Sequence, residues 1–309
     1  MTNTFTPSFP ELLRGRPTAE RDLWARWVLG SHSDQFIPEM VAAANQLDQQ
    51  DPIAYGEPIV NPGPRPDDLL VITSDRGKHC VVVDQPLNCR VVLFDFTGMG
   101  FEPGSNPHGW EQISVACRGK GEVLQQCIKR LSCPNSNEYI GVFDDDVLIR
   151  TSAITTMLAI ARVHNLSALQ PSVPMNSVLS HEYGFLRQRP STSLHRVPFV
   201  EVLAPFLRAD LFQLVMQFGD GIMSSYGLDR FAYPLCAAHL NCWRFGAIDL
   251  TPLEHVRPLR TLNKRYDNGL LSKEEELLVR MRLIKAMGNT VDEELYKELE
   301  KKALSEPLK

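Results

Sequence analysis

Glu138-Tyr139-Ile140-Gly141-Val142-Phe143-Asp144-Asp145-Asp146-Val147-Leu148-Ile149 is the stretch that decides how the chain is read. Its apolar run, Tyr139 to Phe143, has the length of one buried strand and is too short for a helix reaching the same depth. It stops abruptly in three carboxylates. In an open α/β sheet, ligands collect in the crevice beyond the carboxyl ends of the strands. Three adjacent like charges repel, and none is buried cheaply without a counter-ion. Side chains alternate along an extended chain, so Asp144 and Asp146 are expected on one side and Asp145 on the other. Two carboxylates there suit a hard divalent cation, Mg²⁺ or Mn²⁺. The competing account is an acidic strand-to-helix turn in which Asp146 or Thr151 caps the next helix. Thr151 to Val163 reads as that helix and Ser167 to Pro171 as a further strand, which makes a βαβ unit.

Working outward, Leu69 to Thr73 and Arg90 to Asp95 are two more apolar runs, each closing in a polar loop that holds an acid. Trp110 to Ala116 reads as another strand. Glu122 to Leu131 is a helix, with Val123, Leu124, Cys127, Ile128 and Leu131 at helical spacing. Beyond the acids, Met175 to Leu194 is loop-rich, Phe199 to Phe206 reads as a strand and Ala209 to Phe218 as a helix. Tyr226 to Phe231 opens a helix toward His239, and Ala247 to Leu250 is a last strand. The whole is an α/β fold, a mostly parallel Rossmann-like sheet flanked by helices.

The flanks differ in composition. Ala19 to Leu29 and Ile37 to Leu47 read as helices, and Tyr55 to Asp68, with four prolines, as a wrapping segment. Ser272 to Met287 is a charged amphipathic helix, and Thr290 with Glu293 has the spacing of a capping box for a second, Val291 to Leu304. The pair reads as a solvated hairpin packed on the domain, or as an oligomerising or partner-binding arm. The expected division is therefore 1–66, a helical extension; 67–260, the catalytic α/β domain; and 261–309, a helical hairpin.

A chain of 309 residues with 43% hydrophobic and 22% charged content is ordinary for a soluble protein with a large core. The net charge of −5 speaks against nucleic-acid binding. No apolar run reaches membrane-spanning length, and Met1 to Pro10 has no basic start followed by an apolar core. The expectation is a cytoplasmic protein, with peripheral membrane attachment as the alternative. Seven cysteines without a C-x-x-C pair point to reduced, mostly buried thiols.

Leu93-Phe94-Asp95-Phe96-Thr97-Gly98, Phe143-Asp144-Asp145-Asp146, Gln170-Pro171, Phe199-Val200-Glu201 with Ala204-Pro205, and Tyr226-Gly227-Leu228-Asp229 occur in this order. With them the chain resembles a plant and bacterial family of glycosyltransferase-like proteins classed as a domain of unknown function. That family in turn resembles the GT-A fold of nucleotide-sugar-dependent glycosyltransferases. The resemblance covers roughly residues 67 to 260. It implies that Asp144 and Asp146 form a DXD motif and hold Mn²⁺ or Mg²⁺ on the diphosphate of a nucleotide sugar, a UDP-sugar first among them. His255 would complete the metal site. Thr73, Asp75, Arg76, Asp95, Lys120, Asp144 and Asp145 would contact the donor, and Asp229 would be the general base of an inverting transfer. The acceptor implied is a carbohydrate or glycolipid hydroxyl, the chemistry of polysaccharide biosynthesis. Glu201 would face the acceptor or pair with Arg208, and Asp229 could instead cap a helix.

The plant relatives commonly carry an Asp-Glu-Asp triplet and a membrane anchor; here the triplet is all Asp and no anchor is in view. Two other readings compete. Asp95 superficially matches the nucleophile strand of haloacid-dehalogenase-like phosphatases, although the second acid two residues on is Thr97. A nucleotidyltransferase would need a Gly-rich basic loop after the first strand, which is missing. The non-enzymatic alternative is a sugar-binding protein that has lost catalysis.

Overall fold

The computed structural model describes residues 19–30, 37–50, 63–177, 179, 181–257 and 264–304, with only the backbone of residues 47–50 and 181–182. The runs read as strands become β1 (Leu69–Ser74), β3 (Arg90–Asp95), β4 (Glu111–Ser114), β5 (Tyr139–Phe143), β7 (Ala168–Pro171) and β10 (Phe245–Ile248). With β8 (Leu194–Arg196) and β9 (Phe206–Arg208) they form one sheet in the order β4-β3-β1-β5-β9-β7-β10-β8. All run parallel except β9, antiparallel to β5 and β7, and β8, antiparallel to β10.

Alternation along the strands builds two cores. Leu69, Val71, Val92, Phe94, Ile140 and Val142 face one way, onto helices α3 (Lys120–Arg130), α5 (Ala209–Met216) and α6 (Tyr233–His239). Leu70, Ile72, Leu93, Tyr139 and Phe143 face the other way, onto α4 (Thr151–Val163). A small second sheet, β2 (Val81–Val82), β6 (Val147–Arg150) and β11 (Glu254–His255), lies on that side.

The strand read over 199–206 is instead an extended and turning segment, and β9 begins only at Phe206. Pro198 and Pro205 bracket it, and neither can donate to a ladder. The Gln170 side chain takes the Glu201 amide that a strand neighbour would have bonded. Nor does the helix follow directly on the acids: β6 intervenes, and Thr151 donates to Asp84 and Gln85 rather than capping.

The terminal helices belong to the same core. In α1 (Ala19–Leu29), Trp24 and Trp27 are fully buried, Trp24 packing edge-on to Trp243 at 5.1 Å. α2 spans Ile37–Gln50. The helix α7 (Ser272–Ala286) is packed on the domain, with Leu278, Val279, Met281 and Leu283 in the core. Its Glu275 is fully buried and accepts from the amides of Met223 and Ser224 and from Asn268. Its Arg282 donates to the carbonyls of Phe218 and Asp220 and pairs with Glu300. The helix α8 (Glu293–Ala303) is capped by Asp292, not Thr290: the Asp292 side chain accepts from Glu294 and Leu295 amides. Of the wrapping segment, 55–62 lies outside the described residues.

Gly141 makes close packing in the middle of the sheet possible. A Cβ there would meet the ring of Phe206, itself fully buried, at 2.4 Å. Gly141→Ala is therefore expected to lower unfolding free energy by about 1–3 kcal/mol, the usual cost of overpacking, measured by urea denaturation.

Candidate functional site

Register brings the exits of three neighbouring strands together. Ile72 stands opposite Phe143 and Ser74 opposite Asp95, so Thr73, Asp95 and Asp144 close adjacent strands at one edge. The acidic turn is pinned by its own backbone. The Asp144 amide donates to the Leu203 carbonyl, while the Asp145 and Asp146 carbonyls accept from Cys80 and Val256.

Each of the three carboxylates meets a different basic side chain. Lys120, the first residue of α3, places Nζ 2.5 Å from Asp144 Oδ1 and also donates to the Val142 carbonyl at 2.9 Å. Arg257 lies 2.9 Å from Asp145 Oδ2. His255 Nε2 is 3.3 Å from Asp146 Oδ2. Burial raises the Asp144 carboxyl, Lys120 opposing it. Burial also raises Asp145, opposed by Arg257. For Asp146 burial is outweighed by the His255 hydrogen bond and by the charges of His255 and Arg257, which leave it below the usual carboxylate range. That same bond holds the His255 imidazole above its ordinary value, against desolvation.

The donor set decides how a metal would be held. Among the described residues no group of three or more His, Cys, Asp or Glu is assembled to hold an ion. Asp146 and His255 are two neighbouring donors, and Asp144 is engaged by Lys120. Hard ions are commonly held by one or two carboxylates completed by substrate phosphates and water, and Asp146 with a neutral His255 would suit Mn²⁺ better than Mg²⁺. His255 would have to give up its proton to bind the ion.

Asp229 is near enough to the acidic turn that its charge and that of Asp144 both reach Glu201. Gly227 adopts the left-handed region (φ 86°), and a Cβ there would sit 3.2 Å from the backbone of Glu276 in α7. That turn feeds one wide helical turn, Leu228–Ala232, which carries Asp229. Asp229 is not a cap, since its Oδ1 accepts only from the next amide, Arg230, at 2.8 Å. Burial lifts its carboxyl to about 6, with Arg230 opposing. The loop before it, 219–225, is the one anchored by Glu275 and Arg282 of α7.

Glu201 is a second carboxyl within reach of the Asp229 charge. Arg208 pairs with Asp210 instead of Glu201. The Glu201 Oε2 atom is buried without a hydrogen-bond partner. Burial lifts Glu201 to about 8, and the charges of Asp229, His255 and Asp144 all reach it. Sequence held a hint, since an acid between apolar residues is a buried acid wherever the segment is covered. The sign of its pH effect follows. The folded chain holds this proton more tightly than the unfolded chain, so ionisation costs stability as pH rises from about 4.5 to 8. Glu201→Gln is expected to gain thermal stability relative to the parent across that interval, a difference absent at pH 4 in melting curves.

Other residues read from sequence lie along the same edge and are engaged by their own loops. Asp95 ends β3 but is fully buried. Its two oxygens accept from the amides of Arg76, Thr97 and Gly100 and the hydroxyls of Thr97 and Ser114. These bonds outweigh burial and keep it ionised. Spent on shaping the loops, Asp95 is placed neither to contact a nucleotide nor to act as a phosphatase nucleophile. Thr73 is buried at the end of β1. Asp75 exchanges both backbone bonds with Lys78, and Arg76 reaches Glu102 at 3.6 Å, so both lie in the exit loop. Arg257 escaped sequence reasoning because nothing local links it to an acid 112 positions earlier.

No protein-family model matches the chain, and no curated protein matches it in sequence, so the domain-of-unknown-function family stays a resemblance. Solved structures that match include the mannosyltransferase PcManGT from Pyrobaculum calidifontis in complex with GDP-Man and Mn²⁺. It is 13% identical, with 92% of this chain and 81% of that one covered, at a TM-score of 0.47. TarS 1–349 from S. aureus follows at 14% identity, 76% and 70% coverage and a TM-score of 0.43. GalNAc-T7 with UDP, GalNAc and Mn²⁺ gives 10% identity, 88% and 63% coverage and 0.40. Superpositions this loose carry over no residue roles. No helix among the described residues is long and apolar enough to cross a membrane.

Proposed function

We propose that this protein is a metal-dependent glycosyltransferase. It moves a sugar from a nucleoside-diphosphate donor to a carbohydrate or glycolipid hydroxyl, with inversion at the anomeric carbon. The observation that carries this reading is the cluster of charged side chains at the strand ends. Asp144, Asp145 and Asp146 meet Lys120, His255 and Arg257 there, and the charges of Asp144, His255 and the buried Asp229 all reach Glu201. Cations beside paired carboxylates suit a diphosphate bound through a divalent ion, and a partly protonated buried acid suits proton transfer.

In this reading Asp146 and His255 hold the ion, which when bound stabilises charge on the departing diphosphate. Lys120 and Arg257 pair with the phosphate oxygens as these compete with Asp144 and Asp145. Thr73 and the exit loop with Asp75 and Arg76 border the nucleoside. Asp229 takes the proton from the attacking hydroxyl, which requires that it be ionised and within hydrogen-bond reach. The test is isothermal titration of UDP and GDP into the full chain with Mn²⁺, with Mg²⁺ and with EDTA. The expected result is saturable binding that EDTA removes. Binding indifferent to chelation overturns the metal reading, and turnover of a generic phosphomonoester would favour a phosphatase instead.

A further inference from the structure

A cleft of about 500 Å³ opens on the α4 side of the sheet, a volume in the range of small-ligand pockets. Asp84, Gln85, Leu87, Val91, His108 and Trp110 line it, and none of the residues proposed above for donor, metal or proton transfer does. Trp110 forms its aromatic wall. The rings of His79 and His108 lie 5.9 and 5.1 Å from it at tilts of 33° and 35°. Asn106 fixes the Trp110 backbone from both sides, accepting from its amide and donating to its carbonyl. The backbone that carries the indole is thus fixed before any ligand arrives.

The facing wall is polar and negative. Asp84 already satisfies the start of α4, accepting from the Thr151 hydroxyl and from the amide and hydroxyl of Ser152. The Ser152 hydrogen bonds hold its carboxyl down at about 2, so it stays ionised. Arg150 approaches it only to 3.8 Å from a largely exposed position. A helix start that would otherwise attract an anion is therefore already occupied by a carboxylate, and a phosphate-bearing ligand is disfavoured. Gln85 donates from its amide nitrogen to Thr155, and its amide oxygen is an acceptor.

We propose that this cleft binds a neutral saccharide, with the C–H face of a pyranose ring on Trp110 and its hydroxyls donating to Asp84 and Gln85. An aromatic face beside hydrogen-bond acceptors, without a free cation in the lining, matches a ring that is apolar on its faces and a donor around its rim. The inference stands apart from the transferase reading, because it uses neither the metal nor the acidic turn.

The test exploits the tryptophans. Trp24, Trp27 and Trp243 are 0, 0 and 4% exposed, so a change in emission on ligand addition reports Trp110. The full chain, in EDTA, is titrated with cellobiose, maltose and chitobiose, and with uridine and UMP as controls. Saturable quenching or a blue shift is expected with at least one disaccharide at millimolar concentration or below, and none with UMP. By calorimetry, Trp110→Ala and Gln85→Ala should each weaken that binding about tenfold or more, while Asp146→Ala leaves it unchanged. Should Trp110→Ala fail to fold, Gln85→Ala alone decides. No saturation with any disaccharide, equal binding of UMP, or full affinity in Gln85→Ala overturns the proposal. Because the probe is read without metal, failure here leaves the transferase test standing, and the reverse holds too.

Discussion

Asp146→Ala is expected to abolish metal-dependent binding of nucleoside diphosphates, with affinity in Mn²⁺ falling at least ~100-fold, the upper end of what losing even an outer-shell partner costs a metal site. Asp146 is the one member of the triplet whose carboxyl is held below the usual range, so it is fully ionised at neutral pH. It also stands next to His255. Asp144 is engaged by Lys120 and Asp145 by Arg257, so neither is free to replace it without losing its own counter-ion. The turn itself is held by backbone bonds from Cys80 and Val256 and to Leu203, which the substitution keeps. The melting temperature should therefore move by only a few degrees, the equivalent of about 1 kcal/mol. Titration calorimetry and thermal melts on the same preparation check both halves. Unchanged affinity in Mn²⁺ would remove Asp146 from the metal site.

The second large effect concerns the proton. Asp229→Asn is expected to lower the transfer rate by about 10²–10⁴, the contribution of a positioned general base, while donor affinity stays as in the parent. The amide keeps the shape of the side chain and the bond from the Arg230 amide but cannot accept a proton. Since burial lifts Asp229 to about 6, the parent's rate should rise with pH through that value as the base ionises. The residual rate of the Asn variant should lack that limb. A steady-state assay of donor turnover across pH 5 to 8 measures it. Rates equal to the parent's would leave Asp229 with a packing role only.

Local pattern was enough for much of this architecture. Apolar run length located β1, β3 and β5, because a parallel strand buried on both faces is apolar along nearly its whole length. The abrupt stop of the Tyr139–Phe143 run in three acids placed a charged edge at the carboxyl end of a strand before any fold was in hand. Helical spacing likewise located α1, α3, α4 and α7. Where side-chain chemistry could satisfy the backbone in another way, local pattern failed: 199–206 looked like a strand, yet Gln170 and two prolines keep it out of the ladder.

What sequence by itself determined, then, was a mostly parallel α/β sheet with an acidic rim, since burial and strand period act on neighbours along the chain. Only the tertiary structure decided which basic side chain each acid meets, that Asp95 is spent on its own loops, and that the Glu201 Oε2 atom is buried without a partner. Only it showed that α1 and α7 share the central core. Those outcomes depend on contacts between residues tens to hundreds of positions apart. Coulombic pairing and desolvation follow distance in space, and distance along a sequence says little about that until the sheet order and register are known.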